Sequence, residues 1–119
     1  MGPVNWLAVV LAAVAAGAIA WPWYGLWRAG PVPSAMRLGA MIFPAWLMGH
    51  NFARVGAETL AAKPWLYWMM SGGFALFIAL PAGFALYGRH GVKAREAGAD
   101  AGYVFAAFMA MGTVFWALR

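Results

Sequence analysis

The stretch WLYWMMSGGFALFIALPAGFALY, residues 65–87, contains no charged side chain. As an α-helix rising about 1.5 Å per residue it would be roughly 35 Å long, enough to cross the hydrocarbon core of a bilayer with some tilt. Lys63 and Pro64 precede this stretch, and Arg89 and His90 follow it. We therefore predict a transmembrane helix over residues 65–87.

The composition of the chain indicates that lipid is its solvent. Of 119 residues, 66% are hydrophobic and 9% are charged, whereas a soluble domain has about 25% charged residues. A chain with so few charged groups cannot cover an apolar core with a polar shell. We predict an all-α, polytopic membrane protein whose residues 1–119 form a single transmembrane domain.

Three further apolar segments complete the predicted layout, over residues 4–27, 35–53 and 101–118. Pro31 and Pro33 cannot continue a helix and so separate the first two segments. Ser34 is a suitable N-cap for the second helix, and we expect Asp100 to cap the fourth. Together with residues 65–87, these segments predict a four-helix transmembrane bundle with short loops.

Small residues recur every four positions along each predicted helix. In lipid such residues permit close approach of helix backbones, where dispersion replaces the hydrophobic force. The packing positions that we predict are Gly49, Ala79, Gly83, Gly98 and Gly102. The contacts would lie within one chain or, alternatively, between copies in a homo-oligomer.

Three predicted helices contain an internal proline, at Pro22, Pro44 and Pro81. Each proline removes a hydrogen bond to the carbonyl four residues earlier, so a kink is expected there. Such kinks have structural uses in most membrane helices, and in transporters they open cavities. We expect the structural use here.

The positive charges are distributed between the apolar segments. A net charge of +5 would suggest nucleic acid in a soluble domain, but the scattered Lys and Arg residues are better explained as membrane anchors, so no nucleic-acid partner is predicted. The first and third loops carry five basic residues, Arg28, Arg37, Arg89, Lys93 and Arg95, against Arg54, Lys63 and Arg119 at the opposite face. This bias predicts a multi-pass protein of the bacterial inner (cytoplasmic) membrane with both termini outside.

The third loop predicts contact with membrane lipids. Arg89, Lys93 and Arg95 lie together there, and each basic residue near a membrane surface contributes about 1 kcal/mol to binding anionic headgroups. We expect these three side chains to contact lipid headgroups.

Few residues are suited to catalysis. The three acids, Glu58, Glu96 and Asp100, are expected in loops or at a helix end, so no predicted span has an ionisable group at its middle. This argues against an ion-coupled antiporter, which usually retains a charge in the membrane. We find no nucleophile motif, phosphate loop, metal-ligand spacing or protected carboxylate pair. The chain is therefore not expected to be an enzyme or to bind a metal.

His50 is the one candidate for a cofactor contact. With Asn51 it lies near the end of the second predicted helix, within about a turn of Arg54. A histidine can ligate haem or hydrogen-bond a quinone. The plainer interpretation is an interfacial histidine bonded to water, lipid or a backbone carbonyl, and we predict no bound cofactor.

Several short motifs together resemble a known family. They are Asn5-Trp6-Leu7-Ala8-Val9, Trp23-Tyr24-Gly25, Ser71-Gly72-Gly73-Phe74, and Asp100-Ala101-Gly102-Tyr103 with Met111-Gly112. The chain resembles the bacterial membrane family called domain of unknown function 1761 over most of its length, although the part around His50-Asn51 is less similar. The resemblance implies a four-span inner-membrane protein and brings no catalytic residue.

Two functions are compatible with these features. The first is a non-catalytic accessory or scaffold subunit that binds a membrane partner or lipid, favoured by the absence of catalytic groups and by the short loops. The second is an oligomeric channel or transporter for a small or apolar solute, which requires a polar cavity near Pro44, Ser71 and Pro81.

Overall fold

A computed structural model describes residues 3–28 and 30–119, and every regular element in these ranges is helical, so the predicted all-α class is confirmed. The α-helices are α1 (Trp6–Trp27), α2 (Ala35–Leu38), α3 (Ile42–Val55), α4 (Ala57–Ala62), α5 (Leu66–Phe74), α6 (Leu80–His90) and α7 (Ala94–Ala117). A 3₁₀ turn over Gly39–Met41 joins α2 to α3, and a π-helical segment over Ala75–Ala79 joins α5 to α6.

Three helices in the described ranges are long and apolar enough to cross a membrane: Trp6–Trp27, Leu66–His90 and Ala94–Ala117. These helices are compatible with the predicted membrane protein. The predicted second helix is present but is divided by the 3₁₀ turn, and its longest piece, α3, has 14 residues. A fourth spanning helix, and with it the four-helix transmembrane bundle, therefore stays a prediction.

The centre of the molecule is the antiparallel pair α1 and α7. At one end, the Asn5 side chain donates a 3.0 Å hydrogen bond to the Leu118 carbonyl. At the other end, Trp23 Nε1 donates a 2.8 Å bond to the Ala99 carbonyl. Helix α3 packs mainly on α1, and α5 packs on α7, giving a molecule of 45 × 24 × 20 Å.

A row of small residues lets α1 approach its neighbours. Ala8, Ala12, Ala16 and Ala20 recur every four positions and are all buried. Tyr103 of α7 lies close enough to donate a 2.6 Å hydrogen bond from its hydroxyl to the Ala16 carbonyl. This row was expected from the sequence, since in lipid a close helix contact needs small side chains.

Two of the internal prolines coincide with departures from α-helical geometry. The 3₁₀ turn over Gly39–Met41 lies just before Pro44, and the π-helical segment over Ala75–Ala79 lies just before Pro81. In that segment the N–H of Leu80 bonds to the carbonyl of Ala75, five residues earlier. A proline lacks the donor for the carbonyl four residues earlier and its ring presses on that carbonyl, so the preceding turn has to adjust.

The largest difference from the predicted boundaries is at the start of α7. This helix begins at Ala94 rather than residue 101, and Lys93 is its N-cap. Asp100 therefore does not cap the helix but lies in its second turn, about 9 Å along the axis at 1.5 Å per residue. Ala, Arg and Glu are strong helix formers, which explains why the run from Ala94 to Ala97 is helical despite its charges.

Candidate functional site

Asp100 lies where three helices meet. Its Oδ1 accepts a short hydrogen bond from the hydroxyl of Tyr24 on α1, and its Oδ2 accepts a 2.7 Å bond from the hydroxyl of Tyr87 on α6. Both donors are neutral phenols, so they orient the carboxylate without neutralising its charge. A carboxylate offers about four lone-pair sites, and two of them are used by these bonds.

The ends of α1 and α6 bring the two tyrosines to Asp100. Helix α1 ends at Arg28, which adopts the left-handed conformation with φ 49° and donates its N–H to the Tyr24 carbonyl. Helix α6 ends at Gly91, φ 61°, whose N–H bonds to the Tyr87 carbonyl. Each tyrosine therefore lies in the last turn or so of its helix, and both are at the end of the molecule where α7 begins.

Gly102 allows α1 to pack closely beside this cluster. A Cβ at this position would lie 2.6 Å from Cζ2 of Trp23, a separation that an alanine could not occupy without moving the indole. The same indole donates to the Ala99 carbonyl. Gly102 and Trp23 thus hold α1 against α7 within one helical turn of Asp100.

An apolar groove of about 610 Å³ lies between α6 and α7, and Asp100 is the one charged residue among its described lining residues. Its walls include Leu76, Leu80, Phe84 and Tyr87 on one side and Ala94, Ala97, Ala101 and Val104 on the other. Every residue of α6 is exposed or half-exposed, and Phe84 is 80% exposed. The C-terminal half of the Leu66–His90 helix therefore diverges from α7 after the π-helical segment.

Asp100 also lines a second cavity, of about 460 Å³. It is lined by Tyr24, residues 30–34, Arg37, Glu96 and Asp100. Among the described residues, Asp100 alone lines both this polar cavity and the apolar groove. Of its two hydrogen-bond partners, Tyr24 lines the polar cavity and Tyr87 lines the groove.

The predicted small packing residues fall into two groups. A Cβ at Gly49 would lie 2.6 Å from Cγ2 of Val9, so Gly49, like Gly102, is in tight contact with α1. A Cβ at Gly83 or Gly98 would meet no heavy atom of the described chain within 4 Å, and with Ala79 these residues line the apolar groove. A packing contact within the chain is therefore not found at Gly83 and Gly98, because α6 diverges from α7 there. A contact with a second copy stays a prediction.

His50 lies at the opposite end of the molecule. Its Nδ1 is 2.9 Å from the Trp46 carbonyl, and its ring packs edge-on against Trp6 and Trp46 at centroid distances of 5.7 and 4.8 Å. The neighbouring Asn51 bonds in the same way to the Leu47 carbonyl. These local bonds agree with the plainer interpretation of His50, and its contact with haem or quinone stays a prediction.

The predicted headgroup residues lie at the Asp100 end of the molecule. Arg95 donates a 2.7 Å hydrogen bond to the Trp27 carbonyl, where its positive charge complements the C-terminal end of α1. Arg89 and Lys93 are exposed beside the junction of α6 and α7. Headgroup contact by all three stays a prediction, and the described residues contain no group of three His, Cys, Asp or Glu side chains that could hold a metal.

The cluster around Asp100 was not predicted from the sequence. Its members are separated in the chain: Tyr24 and Asp100 differ by 76 in residue number, and Tyr87 and Asp100 differ by 13. The available signal was the helix-forming run that starts at Ala94, which would have placed Asp100 inside α7 instead of at its start. The pairing with the two tyrosines has no local sequence signature.

Comparisons with known proteins give no further guidance, since no protein-family model, curated protein or solved structure matches the chain. The arrangement itself offers two kinds of binding. An apolar groove can hold hydrocarbon by dispersion, and a carboxylate whose bonded partners are neutral can bind a cation or a hydrogen-bond donor. Both kinds of binding are available at the same place, because the carboxylate of Asp100 lines the groove.

Proposed function

We propose that the protein is a non-catalytic accessory or scaffold subunit of the bacterial inner membrane that holds a membrane lipid between α6 and α7. The observation that carries this proposal is the groove of about 610 Å³, whose described lining is predominantly apolar and includes one charged side chain, Asp100. Ligand cavities commonly have volumes of about 300–1,000 Å³. An apolar space with a single carboxylate in its wall matches the polarity of an amphiphile.

The location of the groove supports a lipid as its occupant. The groove lies on a helix, Leu66–His90, that is long and apolar enough to span the bilayer. Hydrocarbon chains surround such a helix, so an open apolar groove on it would be filled by them. An acyl chain held against Leu80, Phe84 and Val104 gains dispersion contacts along its whole length.

We further propose that the Asp100 end faces the cytoplasm, with both termini outside. Most of the basic residues belong to this end, in the turn after α1 and around the junction of α6 and α7, as the positive-inside rule requires. This orientation includes α2 and α3 as a fourth span, in agreement with the proposed resemblance to domain of unknown function 1761. A larger membrane complex or a homo-oligomer remains compatible with it.

The alternative function, an oligomeric channel or transporter, receives less support. A channel or transporter would require a polar cavity near Pro44, Ser71 and Pro81. Ser71 is fully buried, its hydroxyl bonds to the Tyr67 carbonyl at 2.8 Å, and it packs directly against Gly112. Pro81 lines the apolar groove instead. The packing around Ser71 thus leaves little space for a solute path.

Lipid extraction from the purified protein, followed by mass spectrometry, tests the proposed function. Gly98→Leu and Gly83→Leu place a large side chain in open groove space, so we expect each to reduce lipid retention several-fold while the helix content is preserved. Gly25→Leu is the matched control, because a Cβ there also meets no described atom within 4 Å but lies outside the groove. Equal retention by all three variants and the original chain would contradict the proposal.

A further inference from the structure

The wall of the groove contains one charged side chain, Asp100. We propose that Asp100, together with Glu96, binds the primary ammonium group of a zwitterionic phospholipid whose acyl chains lie in the apolar groove. This inference rests on the proposed function and adds the chemistry of the headgroup. It assigns to Asp100 a role in discriminating among lipids.

The first step is the state of the carboxylate. Tyr24 and Tyr87 occupy one lone-pair site on each oxygen of Asp100, and both donate as neutral groups. The two bonds fix the carboxylate between the groove and the polar cavity while leaving its negative charge to be balanced. An ammonium group is a compact cation with three N–H donors, which suits the remaining acceptor sites.

The second step is the charge of the polar cavity. Its lining includes two acids, Asp100 and Glu96, and one basic residue, Arg37. Glu96 lies four residues before Asp100 on α7, so the two carboxylates project from the same face of the helix. The formal charge of these three groups is negative, and it complements a cation better than an anion.

The third step is the match between a zwitterion and the two signs of charge. An ammonium near Asp100 and Glu96 leaves the phosphate of the same headgroup to be bound by Arg37, which lines the same cavity. Arginine is well suited to phosphate because its guanidinium donates in a planar fork. Because Asp100 lines both spaces, a lipid lying across it has its headgroup in the polar cavity and its chains in the groove.

A series of lipids with identical acyl chains tests the inference without altering the protein. The purified protein is exchanged into phosphatidylethanolamine, its N-methylated forms, phosphatidylcholine and phosphatidylglycerol, and retained lipid is measured by native mass spectrometry. We expect retention to fall stepwise with methylation, because each methyl group removes an N–H donor, and to be about tenfold lower for choline than for ethanolamine. A tenfold change corresponds to about 1.4 kcal/mol.

Two variants and one control variant test which side chains produce the preference for ethanolamine. Asp100→Asn preserves size and can still hydrogen-bond both tyrosines, so it should fold while losing the preference for ethanolamine over choline. Glu58→Gln, the same change of charge on the exposed α4, should retain the preference. Glu96→Gln should reduce it by a smaller factor, which supplies a second probe if Asp100→Asn does not fold.

The outcomes separate this inference from the proposed function. Equal retention of ethanolamine and choline lipids, an unchanged preference in both Asp100→Asn and Glu96→Gln, or a preference for phosphatidylglycerol would overturn the role of the carboxylates. In each of those cases lipid retention that is sensitive to Gly98→Leu would leave the groove proposal standing. Absence of any retained lipid would overturn both.

Discussion

The 2.7 Å hydrogen bond from the Tyr87 hydroxyl to Asp100 Oδ2 connects α6 to α7 across the wall of the groove. Along the rest of α6 the side chains are exposed or half-exposed. The position of this helix therefore depends heavily on a single polar contact. Asp100 in turn is linked to α1 through Tyr24, so one carboxylate couples three helices.

Replacing Tyr87 by Phe should loosen α6 selectively. The change removes the hydroxyl that bonds to Asp100 and preserves the ring, so we expect the free energy of unfolding in detergent to fall by about 1.5–3 kcal/mol, as for other hydrogen bonds to charged groups. Amide hydrogen exchange should accelerate in α6. Tyr24→Phe is the matched variant: it removes the other bond to the same carboxylate, and exchange should accelerate at the end of α1 instead. Identical exchange in both variants would show that the bonds do not position the helices.

The proposed orientation can be examined by labelling single cysteines. The chain has no Cys, so Lys93→Cys and Lys63→Cys each introduce one exposed thiol, at opposite ends of the molecule. In intact inner-membrane vesicles with the cytoplasmic face inside, a membrane-impermeant maleimide should label position 63 and spare position 93. The reverse pattern would place the basic loops outside the cytoplasm, contrary to the positive-inside rule.

The sequence predicted the regular parts of the fold well. The expected first helix, residues 4–27, is found as Trp6–Trp27, and its alanine row is buried. Charge-free apolar runs and small-residue spacing decide these features locally, and lipid enforces them because unsatisfied backbone groups are costly there. These are properties that a single stretch of residues carries by itself.

The candidate site could not be predicted in the same way. The groove arises because the π-helical segment before Pro81 redirects α6, and the proline indicates a distortion without giving its direction. The charged residues before Asp100 favour a loop in the sequence. The helix-forming residues after Lys93 nevertheless make this segment the first part of α7. The bonds of Asp100 to Tyr24 and Tyr87 depend on tertiary packing, which spacing along the chain does not reveal.

Gly112 should tolerate no side chain. A Cβ at this position would lie 2.8 Å from the Tyr67 carbonyl oxygen and closer still to the Ser71 hydroxyl. Because one of these atoms belongs to the backbone of α5, relief requires the helices to separate, and we expect Gly112→Ala to lower the free energy of unfolding by about 1–3 kcal/mol. Gly73→Ala, where a Cβ meets no described atom within 4 Å, should be neutral or stabilising by up to about 1 kcal/mol. Thermal unfolding of the two variants in the same detergent compares them directly, and equal midpoints would contradict the close contact of α5 and α7.

Replacing Arg28 by glycine should raise the free energy of unfolding, whereas Gly112→Ala should lower it. This residue adopts the left-handed conformation at φ 49°, ψ 43°, where the Cβ of an L-residue is crowded by its own backbone. The crowding costs about 1–2 kcal/mol, whereas glycine is unstrained there but loses about 0.5–1 kcal/mol more entropy on folding. Arg28→Gly should therefore raise the free energy of unfolding by roughly 0.5 kcal/mol. Arg37→Gly removes the same charge from the helical segment α2, where glycine is unfavourable by about 1 kcal/mol, so its unfolding midpoint should fall. A rise in the midpoint for position 28 together with a fall for position 37 is the expected result, and a fall at position 28 would contradict the prediction.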